Sequence, residues 1–509
     1  MGQHDETTPL LTSPHQNINN DSGTTRQRTT RSLLWSPIQR RVMIAGGLLL
    51  LSINFGAFMA QAPQLQIFED IICKNYMQSI DPSLLNDTID VCKSPAVQKE
   101  LALVTGWKNT FDILPSIAMA LPYGILADRI GRRPVMIMSF ASLICSDTWA
   151  KIVCWFNLPL RLTWLAGLFQ IPGGGNLVAT TMVMTVVADV FSAGERNTAI
   201  FRLTAMTTVA EIVATPLSAM MLESDPWIPF ILGTVIMISS SLFVFLMPET
   251  LGQMNVNSGI QEDTFERSPE DSEETSQLLP TKNDTIAEIV LGKTQEFILS
   301  SKFLWTSPRI LISIVAVFAG SMDRSSWYLL IQYVSTKFRW SIAEASYLIS
   351  VRGCMTLATL LVILPILSSF LSRTLHYAPV TKDLYIARFS AASGVLGYLM
   401  VSIASSAPIL LMGTLFMSFS IPFVYSVISV ATSFVPSQNQ IATLYAAMSV
   451  SISIGGVVAS PMFAGLYAVG MQLGVEWSGL PFAVGSGLLL LTLVPILYIK
   501  VQTQLEDIS

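Results

Sequence analysis

Four charged side chains stand inside otherwise apolar stretches, where a charge must meet a partner, water or a ligand. Glu211 lies in Ala210-Glu211-Ile212, upstream of Pro216. Asp323 and Arg324 are adjacent in Gly320-Ser321-Met322-Asp323-Arg324-Ser325-Ser326-Trp327, and Arg352 lies between Val351 and Gly353. A carboxylate in such a setting can take up and release a proton, so Glu211 and Asp323 are the proton-coupling candidates. Arg324 and Arg352 are candidates for the opposing charge or for an anionic group on a solute. Successive helical residues point about 100° apart, so Asp323 and Arg324 need not pair with each other. A structural ion pair with Glu211 or Arg352 accounts for the same residues equally well. Asn54 and Gln170 add uncharged hydrogen bonding. Phe55, Trp327, Tyr328, Phe423 and Tyr425 could shape a pocket for an amphipathic solute, although aromatic residues also serve membrane interfaces and helix packing.

Other chemistry finds no support. The chain has no Gly-x-x-x-x-Gly-Lys-Ser/Thr phosphate cradle, and Gly173-Gly174-Gly175, expected inside an apolar helix, lacks the lysine that such a cradle uses. The histidines, His4, His15 and His376, do not cluster, so no metal site is expected. Neither an enzyme nor a cofactor is indicated, and no nucleic-acid partner is expected. Uphill movement of a solute would draw on an ion or solute gradient.

These residues are positioned by apolar segments. The chain has 509 residues, of which only 12% are charged, against about 25% in soluble domains, and its mean hydropathy is +0.55. The charges crowd residues 1–41, residues 249–305 and short patches between blocks of membrane-spanning length. That distribution excludes a soluble multidomain enzyme, a secreted disulfide scaffold and a disordered regulator. Spans are expected at 42–62, 101–122, 134–155, 162–188, 200–220 and 228–247, then at 309–333, 342–371, 383–404, 408–433, 440–469 and 479–499. The implied fold is an all-α membrane protein of twelve transmembrane helices in two six-helix halves. Residues 1–41 form a disordered cytoplasmic N-terminal tail, 42–248 the first half, 249–305 a flexible acidic cytoplasmic linker, 306–499 the second half and 500–509 a cytoplasmic C-terminal tail. No secretory signal precedes the first span, which is expected to be a retained anchor.

Lys and Arg near the span ends place both termini in the cytoplasm. The longest external loop is then 63–100. It holds Cys73, Cys92 and the sequon Asn86-Asp87-Thr88, hence a disulfide candidate and a glycosylation candidate on the lumenal or extracellular face. Cys145, Cys154 and Cys354 read as small packing residues. Glu6-Thr7-Thr8-Pro9-Leu10-Leu11 and Glu274-Thr275-Ser276-Gln277-Leu278-Leu279 both fit an acidic dileucine sorting pattern. Sorting adaptors are candidate partners on that basis, beside the lipid bilayer and a small-molecule solute. A weak repeat links Ile212-Val213-Ala214-Thr215-Pro216-Leu217 to Val457-Val458-Ala459-Ser460-Pro461-Met462. Pro216 and Pro461 are the helix-bend candidates.

Between spans two and three runs Gly124-Ile125-Leu126-Ala127-Asp128-Arg129-Ile130-Gly131-Arg132-Arg133-Pro134. This segment resembles the cytoplasmic loop motif of the major facilitator superfamily. Glycines permit the turn, and Asp128 can pair with arginines or face a helix terminus. Ala188-Asp189-Val190-Phe191, Gly194-Glu195-Arg196 and Met247-Pro248-Glu249-Thr250-Leu251 are similar to segments of the fungal multidrug-efflux-like members. The resemblance implies a monomeric secondary active transporter with alternating access between halves, and a route lined by spans one, four, seven and ten. It assigns Gly124, Asp128, Arg129, Gly131, Arg132 and Arg133 to a conformational latch. It also implies proton-coupled efflux of a small amphipathic compound at the plasma membrane or vacuolar membrane. A nutrient or vacuolar carrier of the same fold, and a non-transporting sensor, are the alternative readings. Two features depart from the family's antiporters. Gly167 occupies the place of an intramembrane arginine, and Thr215-Pro216 stands where a Gly-Pro-rich run is usual.

Overall fold

The computed structural model describes residues 35–79, 91–250, 292, 302–435 and 438–498. Among these residues the chain is helical throughout, with eleven helical segments long and apolar enough to cross a membrane. The N-terminal group comprises α1 (Pro37–Gln78), α2 (Pro95–Ile130), α3 (Arg132–Trp155), α4 (Gly175–Val190), α5 (Ala193–Leu222) and α6 (Trp227–Val244). After the short turn Lys302–Thr306, the C-terminal group begins with α7 (Pro308–Ser321), α8 (Asp323–Lys337), α9 (Ile342–Ala358), α10 (Leu364–Arg373) and α11 (Pro379–Ser402). It continues with α12 (Ala407–Ser418), α13 (Pro422–Thr432), α14 (Gln438–Leu473) and α15 (Leu480–Tyr498).

Several expected spans are redrawn. The first does not end near residue 62: α1 continues through Pro63 to Gln78, so much of the expected external loop is helix. Ser36 starts that helix with a capping box, its hydroxyl accepting from the Gln39 amide while the Gln39 side chain reaches back. The seventh, expected at 309–333, is divided at Met322 into α7 and α8, neither of which is long enough to span alone. The division places Asp323 at the start of α8, where a carboxylate meets the positive end of the helix dipole. The fourth opens as a tight 3₁₀ stretch, Leu160–Gln170, and re-forms as α4 only after a turn. Gly173-Gly174-Gly175 is therefore a helix break rather than helix interior. Gly174 and Gly175 have φ of +76° and +66°, which glycine alone adopts at little cost. The tenth likewise divides into α12 and α13.

Two pairs of crossing helices join the N-terminal group to the C-terminal group, α2 with α14 and α5 with α9. Each crossing uses a missing side chain. A Cβ on Gly106 would lie 2.5 Å from the Ala464 Cβ, and one on Gly353 would lie 2.8 Å from Ile212. The repeated segments around Pro216 and Pro461 fall in α5 and α14, one at each crossing, with both prolines inside their helices. Cys73 and Cys92 are disulfide-bonded with their Cα atoms 5.0 Å apart. At that end of the bundle Lys93 contacts Glu69 at 2.7 Å and Ser335 at 2.7 Å, while Gln332 donates to the Gln98 carbonyl at 2.7 Å. The Lys93–Ser335 and Gln332–Gln98 bonds tie the two groups together there.

Candidate functional site

Glu211 of α5 is 7% exposed and accepts a charge-assisted hydrogen bond from Arg352 of α9. The pair sits at one of the two crossings, and Gly353 beside Arg352 lets the helices approach closely enough for it to form. Arg352 also stacks over the Trp327 ring, 4.4 Å from its centroid. The Trp327 indole donates to Asp323 Oδ2 at 3.1 Å, and the Tyr398 hydroxyl donates to Asp323 Oδ1 at 2.8 Å. Ser326 and Tyr398 hydroxyls lie 2.7 Å apart. Three of the four charges marked in the sequence thus belong to one connected system across α5, α8, α9 and α11. The side chain of Arg324 lies outside the described residues.

A second charged system, on α2 and α3, escaped the sequence reading. Lys108 bonds Asp112 at 2.7 Å, and Lys151 bonds Asp147 at 2.6 Å. Both lysines are 9% exposed. Thr234 of α6 donates to the other Asp147 oxygen at 2.6 Å, and the Lys151 ammonium lies 4.1 Å from the Phe230 ring centroid. The signal was present as opposite charges at i and i+4 within apolar spans, the spacing at which helical side chains meet. Asn54, Lys108, Asp112, Asp147, Gln170 and Tyr328 border a cavity of about 280 Å³. Gln170 is 5% exposed, accepts from the Ser116 hydroxyl at 3.2 Å and donates to Ser146 at 3.2 Å. Asn54 turns its amide toward its own helix, donating to the Leu50 carbonyl at 2.7 Å.

Among the other aromatic candidates, Phe423 is buried against Gly320, whereas Tyr425 is exposed. Arg202 stacks over Trp35 at 4.9 Å. Cys154 is buried, but Cys145 and Cys354 are exposed on helix surfaces rather than packed inside.

The loop motif forms a third system. Arg132 is buried, pairs with Asp128 and lies 3.6 Å from Asp189, which also accepts from the Thr250 hydroxyl at 2.7 Å. Glu249 accepts from the Arg132 and Arg133 backbone amides at 3.0 and 3.1 Å, supplying negative charge to the α3 N-terminus. Gly131 has φ +104°, and a Cβ there would lie 2.6 Å from Glu249. Arg133 stacks over Phe245 at 5.3 Å. These contacts all lie among the N-terminal helices and the segment after α6. Gly124, by contrast, has open space around it. Asn86, Glu6, Leu10, Leu11, Glu274, Leu278 and Leu279 lie outside the described residues. Among the described residues no group of His, Cys, Asp and Glu is arranged to hold a metal.

Residues 93–460 match the Major Facilitator Superfamily. The MFS efflux pump atnC of Emericella nidulans is 32% identical over 443 residues, covering 86% of this chain and 83% of that protein. The MFS-type transporter avaK of Aspergillus versicolor is 30% identical, covering 92% and 94%. Among solved structures, the nucleoside transporter NupG superposes with a TM-score of 0.60 at 12% identity, covering 91% of this chain and all of that one. The human organic anion transporter MFSD10 gives 0.53 at 18% identity with the same coverage. At these identities the structural likeness speaks to fold alone.

Proposed function

This chain belongs to the Major Facilitator Superfamily and is a secondary active transporter of a small solute rather than an enzyme, and from that premise we propose that it exports a small amphipathic compound in exchange for protons. The observation that carries the reading is the Glu211–Arg352 pair at the α5–α9 crossing. Protonating Glu211 removes the charge that Arg352 faces. Breaking one side of a buried pair costs about 3–5 kcal/mol, enough to shift a two-state equilibrium by roughly a hundredfold to several thousandfold. Arg352 then retains the Trp327 face, with Asp323 next to it. A proton entering from one side would thus favour one arrangement of α5 against α9, and its loss on the other side would favour the return. Export as the direction follows the similarity to relatives such as the MFS efflux pump atnC of Emericella nidulans.

The setting proposed is twelve spans in two halves, 42–248 and 306–499, rocking about the α2–α14 and α5–α9 crossings. The divided seventh span counts as one of the twelve. The Asp128–Arg132–Asp189 system latches the inner face, both termini are cytoplasmic, and the transporter works as a monomer in the plasma or vacuolar membrane. Comparison of metabolites inside and outside cells lacking or overproducing the protein identifies the solute and its direction. In proteoliposomes under an imposed pH gradient, Glu211→Gln or Asp323→Asn is expected to reduce coupled flux at least about tenfold. Wild-type coupled flux in both variants at normal abundance would overturn the proton assignment. Inward movement favours an uptake carrier, and binding without flux favours a sensor.

A further inference from the structure

The cavity between α1, α2 and α3 has properties that bear on what it holds. Its charged groups cancel. Lys108 closes on Asp112 within the lining, and Asp147, the other charged lining residue, is neutralised by Lys151 from outside the lining, so the site keeps no unmatched charge. A solute bearing a net charge would leave water for a site that offers it no free counter-ion, which is costly. The wall also holds hydrogen-bonding capacity that the protein does not use. Asp112 Oδ1 and Thr105 Oγ1 are buried without a partner, although buried polar atoms are nearly always paired. Gln61, Gln64, Asn109 and Asn176 line the same space, and their carboxamides make no hydrogen bond to the described residues. A carboxamide both donates and accepts, a carboxylate only accepts, and a hydroxyl does either. Phe58, Leu65 and Met237 supply an apolar side.

We propose that this cavity recognises a net-neutral solute, uncharged or zwitterionic, that carries several hydrogen-bond donors and acceptors beside an apolar part, and that the Lys108–Asp112 pair sets the charge preference. Asp112 Oδ1 accepts a donor from the solute while the Asp112 Oδ2–Lys108 bond keeps the site neutral. The assignment rests on the transporter reading for its setting and is independent of proton coupling.

Binding to the purified full-length protein without a pH gradient tests it, using three probes of one scaffold. These are N-acetyltyrosinamide, which is uncharged, N-acetyltyrosine, which is anionic, and tyrosinamide at a pH where its amine is protonated. The wild type is expected to bind the uncharged probe at least about tenfold more tightly than either ion. Asp112→Asn leaves Lys108 unpaired and should move the preference to the anion. Lys108→Gln leaves Asp112 unpaired and should move it to the cation. The double variant removes both charges and should restore the wild-type ranking, and it decides the matter if a single variant does not fold. A wild-type preference for either ion, no binding of any probe, or the wild-type ranking in folded single variants overturns the proposal. Loss of pH-driven exchange with the ranking intact would instead overturn only the proton-coupling reading.

Discussion

Glu211 and Arg352 meet from helices 141 residues apart in sequence, whereas Lys108–Asp112 and Asp147–Lys151 each close within about one turn of a single helix. Both arrangements bury opposite charges, yet they respond differently to motion. Partners at i and i+4 ride on one rigid element and stay together wherever that helix goes. A pair that joins two helices from different groups survives only while those helices keep their register. The first kind suits the fixed wall of a binding cavity. The second reports and biases the relation of α5 to α9, which is what a coupling element needs. In keeping with this, Lys108, Asp112 and Asp147 line the cavity while Glu211 and Arg352 lie outside its lining.

Substitutions at the two regions should separate these roles. Arg352→Met strands the buried Glu211 carboxylate and is expected to lower stability by about 3–5 kcal/mol, read as thermal unfolding in detergent, with pH-driven flux lost. Adding Glu211→Gln removes both charges. It should return most of the stability while flux stays insensitive to the gradient, and recovery of gradient-driven flux in that double variant would contradict the coupling role. At the other region, Asp147→Asn leaves Lys151 on the Phe230 ring, whose face softens the loss. The expected cost is about 2 kcal/mol. The ratio of flux with and without a gradient should remain that of the parent. Thr234→Val deletes only the hydroxyl donor to Asp147 and should cost about 1.5 kcal/mol, again with the gradient ratio unchanged. A changed ratio in either of these last two variants would erase the contrast between wall and coupler.

The residues explain how far each region could be read from the sequence. Glu211, Asp323 and Arg352 stood out because each interrupts an apolar run, and hydrocarbon makes a lone charge conspicuous. Their pairing was one of several open arrangements, since nothing local relates α5 to α9. Lys108, Asp112, Asp147 and Lys151 are less conspicuous although their spacing is informative, because charges matched on their own helix mark a site less sharply than an isolated charge does. The break at Met322 and the left-handed turn at Gly174 were hidden for a related reason. An apolar segment of the right length reads as one span, whether its backbone runs through or stops midway.

Composition and charge placement were sufficient to determine a polytopic helical protein, because backbone groups in lipid must be satisfied within helices and charges must lie at the ends or face a partner. The Gly124–Pro134 segment was sufficient to point to the superfamily. Tertiary structure alone decided that Glu211 meets Arg352, since that depends on Gly353 allowing α5 and α9 to close. It also decided that Lys108 and Asp112 of α2 and Asp147 of α3 face one cavity with Gln170 and unpaired carboxamides around it. Hydropathy is a property of segments and can be summed along a chain; a binding site depends on which faces of distant helices turn toward each other.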